Sequence, residues 1–355
     1  MGLQDPAGAT STLSVLEEFG SNPGNLHAKI YVPKSFVRGS ALVVVLHGCT
    51  QSPEGYDRGA GWSNAADEHG FALLFPQQQR ANNPNLCFNW FLPTDVTRDH
   101  GEARSIRQMV AKMHTRFGTD PARVFVTGLS AGGAMAAVML ASYPDVFAGG
   151  GIIAGLPFGS AHSVPEAFDR MRGHGGPSAK ALSEIVRSAS NHSGPWPTLS
   201  IWHGTSDTTV DPSNAQDLVD QWRTLHGASE SPCKTDEVEG FPHRVWCDPT
   251  GREVIEEFAI TGFAHGTPLD VSQAEFGERA GAYMLDAGIS STRHILRFWG
   301  LAPEVAKASH APRAVEDRPR AARRSPIGCR PRTMNPATNV TRTIEEALRA
   351  AGLLR

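Results

Sequence analysis

Gly128-Leu129-Ser130-Ala131-Gly132 sets a serine between two glycines, with an apolar run at residues 123–127 before it and an Ala/Met/Leu-rich stretch at 134–141 after it. Read as strand, sharp turn and helix, this is the setting in which G-x-S-x-G becomes a nucleophile elbow. A serine at the apex of such a turn has strained backbone angles, and side chains two positions to either side would collide. Glycine at 128 and 132 removes that clash. The helix that begins behind Ser130 points N–H groups and its positive end toward the place where an oxyanion would form. Without the flanking strand and helix the pentapeptide would be an ordinary turn. The chemistry it predicts is attack by a serine hydroxyl on a carbonyl, which calls for a base, an acid to orient it, and two oxyanion donors.

Those partners are sought in the chain order nucleophile, acid, histidine. Residues 198–202 are β-prone and run into His203-Gly204-Thr205-Ser206-Asp207. Asp207, on the loop leaving that strand, is the candidate acid, and Asp211 on the same loop is its competitor. Residues 253–260 read as another strand, whose exit is Thr261-Gly262-Phe263-Ala264-His265-Gly266-Thr267-Pro268. His265 lies between two glycines on that loop and is the candidate base; most of the other histidines among the 14 need only a solvated or core role. Residues 41–46 form a continuous apolar run, suited to a strand buried on both faces of a parallel sheet. It ends in His47-Gly48-Cys49-Thr50-Gln51. The loop after this early strand supplies one oxyanion N–H and the residue after the nucleophile the other. The backbone amides of Cys49 and Ala131 are therefore the predicted donors, with His47 as a brace for the loop. Trp90 and Trp202 lie near these loops and are candidates for substrate contact, with core packing as the competing role.

Five separated motifs carry a family resemblance. They are Leu46-His47-Gly48-Cys49-Thr50-Gln51, Cys87-Phe88-Asn89-Trp90-Phe91, Gly128-Leu129-Ser130-Ala131-Gly132-Gly133-Ala134-Met135, Ile153-Ala154-Gly155-Leu156-Pro157 and Ala264-His265-Gly266-Thr267-Pro268. In this order they resemble the PHB-depolymerase family of esterases, the short-chain polyhydroxyalkanoate depolymerases that stand close to feruloyl and acetylxylan esterases. The resemblance spans roughly residues 20 to 301. It implies an α/β-hydrolase fold with a mainly parallel central sheet flanked by helices. It also implies a cofactor-free serine esterase acting on 3-hydroxyalkanoate polyesters, their oligomers or related esters, with Ser130, Asp207 and His265 as the triad. Secreted members of the family carry a signal peptide, whereas this chain starts Met1-Gly2-Leu3-Gln4-Asp5-Pro6, without a basic or apolar leader pattern. An extracellular or periplasmic placement, from the resemblance, thus stands beside a cytoplasmic alternative. Two functional rivals remain. One is a carbohydrate esterase removing feruloyl or acetyl groups; the other is a non-catalytic polyester-granule binder, which would have no need to keep all three triad residues.

The elements that must position these groups alternate between strand-like and helical patterns. Strands are expected near 27–32, 41–46, 71–75, 123–127, 150–154, 198–202 and 253–260, and helices near 101–117, 131–143, 214–225 and 289–299. Ile106, Met109, Val110 and Met113 recur at helical spacing and give the helix at 101–117 one face for the sheet. Gly149-Gly150-Gly151 lacks nucleotide-binding spacing and reads as a place of close backbone packing. Residues 156–197, rich in Gly, Ser, Pro and His, are the expected cap or lid. A chain of 355 residues with net charge −3 offers no reason for a nucleic-acid partner, and no apolar run is long enough for a membrane span. The spacings contain no metal-binding motif. Of five cysteines, Cys233 and Cys247 flank a stretch with a turn-like centre at Gly240-Phe241-Pro242, Cys49 and Cys87 fall on loops above the sheet, and Cys329 is left over. Bridges across the first two pairs are expected in an oxidising compartment. Residues 1–20 are expected to be loosely held and 21–301 to form the catalytic domain. Residues 302–340 read as a disordered linker, with seven arginines and six prolines at 303–340. Residues 341–355 read as a short helix started by the capping box Thr343-x-x-Glu346.

Overall fold

The structure, a computed structural model, describes residues 13–303. Ten strands form one sheet: β1 (Ser14–Val15), β2 (His27–Tyr31), β3 (Leu42–Leu46), β4 (Ala72–Gln77), β5 (Val124–Leu129), β6 (Gly149–Ile153), β7 (Thr198–Gly204), β8 (Lys234–Val238), β9 (Phe241–Cys247) and β10 (Glu253–Ile260). Their spatial order is β1-β2-β4-β3-β5-β6-β7-β10-β9-β8. The central run from β4 to β10 is parallel, and antiparallel pairs close both edges. Around it lie α1 (Pro53–Ala60), α2 (Trp62–His69), α3 (Pro93–Val96), α4 (Gly101–Phe117), α5 (Ala131–Ser142), α6 (Val164–Met171), α7 (Ala179–Ser188), α8 (Ser213–Arg223) and α9 (Ser291–Phe298). A small parallel pair, β11 (Thr267–Leu269) and β12 (Met284–Asp286), stands apart from the main sheet. This is the α/β-hydrolase fold. No helix among the described residues is long and apolar enough to cross a membrane.

Local sequence accounts for the central elements. Every residue of β3 is buried, as a continuous Leu/Val run between two helical layers requires. All twelve residues of α5 are buried as well; a helix apolar on every side can only lie in the interior. A Cβ on Gly150 would meet Leu140 of α5 at 2.5 Å, and one on Gly151 would meet Ile295 of α9 at 2.9 Å, so the glycine run of β6 admits close packing. The chain visits β3, then β4 on one side, then β5 on the other. That reversal opens a crevice at the carboxyl ends of β3 and β5, where ligands bind in open α/β sheets.

Several expectations need correction. Residues 13–20 are not loose: β1 pairs with β2 and Leu16 is fully buried, with its amide donating to the Ala28 carbonyl. The hairpin turn falls on Glu239-Gly240, both with positive φ, one place before the expected centre, because this two-residue turn matches the strand twist. The segment at 156–197 contains α6 and α7. Ser183 of α7 donates to the Gln221 carbonyl of α8, while the Gln221 side chain bonds both backbone groups of Phe158. These bonds join the start and the second helix of the segment to α8. The short β1, α1, α2, α3 and the β11–β12 pair had no expectation at all. The expectations for Cys329 and for residues 304–355 lie outside the described residues.

Disulfides join Cys49 to Cys87 and Cys233 to Cys247. The second spans the edge hairpin with a sequence separation of 14. Replacing both of its cysteines with serine is expected to lower the unfolding free energy by roughly 3 kcal/mol, chiefly by releasing the unfolded chain. Denaturant unfolding checks the stability loss. Turnover of a short soluble ester should hold, since β8 and β9 are at the sheet edge away from the crevice.

Candidate active site

Ser130 sits between β5 and α5 with φ 57° and ψ −120°, a left-handed backbone that L residues rarely adopt. What holds it is crowding on both sides. A Cβ on Gly128 would stand 2.5 Å from the Gly132 backbone, and one on Gly132 would stand 2.3 Å from the Leu46 carbonyl and 2.5 Å from that of His47. The first turn of α5 therefore rests directly on the exit of β3. The Ser130 amide donates to the Ile153 carbonyl of β6 at 2.9 Å, which fixes the turn from the other side.

The exit of β3 is itself braced. His47 is buried, and its Nδ1 lies 2.8 Å from the Gly48 carbonyl while its Nε2 accepts the Gln78 amide at 3.2 Å. That pattern requires the neutral ring with the proton on Nδ1. Burial pushes the imidazole down to about 4 despite the Gly48 carbonyl, so His47 is a fixed strut and not a base. The Gln51 side chain accepts the Gly48 amide at 2.8 Å, and the Cys49–Cys87 bridge ties the loop to the segment before Trp90. The amides of Cys49 and Ala131 donate to no backbone or side-chain acceptor among the described residues.

Asp207 and His265 meet as the chain order predicts: His265 Nδ1 donates to Asp207 Oδ2 at 2.7 Å. The other carboxylate oxygen, Oδ1, accepts the amides of Thr209 and Val210, which locks the loop. A second histidine went unnoticed in the sequence. Buried His203, at the end of β7, points Nε2 at the Val210 carbonyl at 2.9 Å and at Asp207 Oδ2 at 3.4 Å. Burial works to raise the Asp207 carboxyl, but its bonds with His203 and His265 outweigh this and hold it well below the ordinary carboxylate range. The i, i+4 spacing of His203 and Asp207 was the available clue. Asp211 has a separate task, accepting the Ser213 amide at the start of α8.

β10 lies three strands from β5, so the His265 loop has to travel back across the sheet top. The Ser206 amide donates to the Phe263 carbonyl, and the Gly262 amide to Thr205 Oγ1, stitching the loop to that of Asp207. Beyond His265, Thr267 Oγ1 lies 3.3 Å from the Tyr56 hydroxyl of α1, and Gln51 Nε2 donates to the Ala282 carbonyl at 3.3 Å. The chain after His265 is thus carried to the β3 side of the crevice, beside the elbow. Among the described residues no hydrogen bond joins Ser130 to His265.

The two tryptophans are core residues. Trp202 is fully buried in β7, stacked on Phe258 with ring centroids 3.8 Å apart, and its indole N–H is taken by Ser200. Trp90 is 6% exposed and packs edge-on against Phe91. Trp202 is thus enclosed within the sheet layer, while Trp90 keeps a small exposed edge.

Comparison with known proteins gives a consistent picture. The family model described as esterase PHB depolymerase matches residues 26–236. Poly(3-hydroxyalkanoate) depolymerase C of Paucimonas lemoignei is 45% identical over 291 residues, covering 81% of this chain and 70% of that protein. Feruloyl esterase B of Talaromyces stipitatus is 29% identical over 276 residues, covering 75% of each chain. Among solved structures, acetyl xylan esterase from Aspergillus awamori superposes with a TM-score of 0.69 at 25% identity, covering 82% of this chain and 99% of that one.

The His47 strut has a testable signature. Its lowered folded value means that the unfolded chain binds a proton that the native ring refuses. Stability should therefore be fully present above about 6.5 and fall as pH drops toward about 4. His47→Gln removes this titration. Between pH 7 and 4 the wild type is expected to lose up to about 3 kcal/mol more than the variant, read from urea unfolding at each pH.

Proposed function

This chain belongs to the esterase PHB depolymerase family, and from that premise we propose that it cleaves the ester bonds of poly(3-hydroxyalkanoate)-type polyesters or their oligomers through an acyl-enzyme on Ser130. The observation that carries the mechanism is the hydrogen bond from His265 Nδ1 to the ionised Asp207, which leaves Nε2 free to take a proton. His265 accepts the Ser130 proton as Oγ attacks the carbonyl, and Asp207 stabilises the imidazolium that forms. The Cys49 and Ala131 amides receive the oxyanion, each contributing on the order of 3 kcal/mol to the transition state. The alcohol leaves with the proton from His265. Water then attacks the acyl group by the same route in reverse and frees Ser130.

Residues 21–301 are the catalytic domain in this reading, since every group it uses falls there. Two disulfides favour an oxidising compartment, and with it an extracellular or periplasmic site of action. A carbohydrate esterase removing acetyl or feruloyl groups is the second reading, favoured by the likeness to the acetyl xylan and feruloyl esterases. The higher identity to the depolymerase places polyester first.

Side-by-side assays on p-nitrophenyl butyrate, poly(3-hydroxybutyrate) particles and methyl ferulate separate the two; clearing of the particles is expected, and activity confined to methyl ferulate would reverse the order. Ser130→Ala should lower kcat by roughly 10⁶-fold while the far-ultraviolet circular dichroism stays native. Asp207→Asn should cost about 10⁴-fold, because the imidazole loses both its tautomer control and its counter-charge. Asp211→Asn should cost little. Steady-state kinetics on the soluble ester check all three, and an Asp211 variant as impaired as the Asp207 one would overturn the choice of acid.

A further inference from the structure

Tyr283 is the side chain beside the catalytic histidine that the mechanism above does not use. Its ring stands edge-on to that of His265 with centroids 6.1 Å apart. Its backbone is left-handed, with φ 61°, a conformation a tyrosine holds only when its surroundings enforce it. They do so here: the Tyr283 carbonyl accepts the Thr267 amide at 2.8 Å, the preceding Ala282 carbonyl accepts Gln51 Nε2, and Gly281 and Met284 pair across the turn. Gln51 is the residue whose side-chain oxygen holds the Gly48 amide next to Cys49. Tyr283 is therefore pinned between the His265 loop and the oxyanion loop, at the rim of the crevice. The ring is half-buried, and partial burial alone raises its phenol above the ordinary value. The hydroxyl has no hydrogen-bond partner among the described residues. A neutral phenol with no partner among the described residues, fixed beside the base, is free to donate to a bound molecule.

We propose that Tyr283 is a substrate-binding residue whose hydroxyl donates to the ester carbonyl one repeat away from the bond being cleaved in a 3-hydroxyalkanoate oligomer. The inference rests on the polyester reading above. In such a chain neighbouring carbonyl carbons are separated by four bonds, about 5 Å when extended. The Tyr283 ring is offset by 6.1 Å from that of His265, which sets it apart from the base that serves the scissile bond. A simple monoester has no second carbonyl to offer, so the contact selects for oligomer over short ester.

Tyr283→Phe keeps the ring against His265 and removes only the donor. Purified wild type and variant are compared on the linear trimer of 3-hydroxybutyrate and on p-nitrophenyl butyrate, with thermal melts to establish equal folding. One neutral hydrogen bond predicts that the ratio of kcat/KM for trimer to that for the short ester falls roughly three- to tenfold, with the loss mainly in KM. An unchanged ratio, whether both rates fall together or neither does, overturns the assignment and leaves Tyr283 as packing for His265. A wild type active on p-nitrophenyl butyrate but inert to the trimer overturns the polyester reading itself, and the assignment with it.

Discussion

The close approach of the first turn of α5 to the end of β3 is the constraint on which the site depends. Carbonyls of Leu46 and His47 occupy the space a Cβ on Gly132 would need, so the helix can begin only there and only with that glycine. One steric contact thereby sets three things together: the left-handed backbone of Ser130, the place of the Ala131 amide, and the distance to the loop that carries Cys49. The two proposed oxyanion donors belong to chain segments some eighty residues apart in sequence. What brings their segments together is a packing contact between the start of α5 and the end of β3. Preorganisation of this kind costs nothing at the moment of reaction, since it was supplied when the chain folded.

Charge is handled in two opposite ways within the same interior. Asp207 and Glu102 are both buried carboxyls. Asp207 faces two imidazoles and stays ionised against the pull of burial. Glu102 accepts from Gln78 and from the Asn89 amide, but burial dominates, the neighbouring Asp95 adds to it, and its carboxyl is pushed up to about 8. The partners decide the outcome. Glu102 serves geometry: through Gln78 it reaches both the Cys87 carbonyl and the backbone held by His47. It anchors the far end of the Cys49–Cys87 brace through Gln78.

Most of the central sheet was legible in the sequence because its signals are local. The apolar run at 41–46 gave β3 and the stretch at 253–260 gave β10 nearly to the residue, β5 extends two residues beyond its expected end, and the 3.6-residue spacing of Ile106, Met109, Val110 and Met113 gave α4. The pairing of Asp207 with His265 followed from order along the chain. What was not legible depends on contacts between segments remote in sequence. β1 has two residues and no period to detect, and Leu16 is buried only because β2 is there to pair with it. Trp202 looked available because it is aromatic and close to the acid loop in sequence. Alternation along a strand does not say which face is covered, and here Phe258 covers it. Tyr283 carries no motif; only the fold shows that it lies against His265.

The reacting groups and the rim are attached to the scaffold by bonds of different kinds. Ser130 and Asp207 stand at the ends of β5 and β7 in the middle of the sheet, where the strands are buried and paired on both sides. The stretch from 267 to 286 lies outside the main sheet as a two-stranded pair, anchored by bonds from Tyr56 to Thr267, Gln51 to Ala282, Asn64 to Phe276 and Ser291 to Pro268, and by the burial of Leu269, Phe276 and Met284. The stretch is joined to the main sheet's loops at the β3 exit and at α1, apart from the ends of β5 and β7. One architecture serves proteins named as depolymerase, feruloyl esterase and acetyl xylan esterase, so function has to be argued from the site and not from the fold. The steric contact behind Ser130 is made by the Leu46 and His47 carbonyls against Gly132, and the 267–286 stretch reaches that neighbourhood through the bond from Gln51 to Ala282.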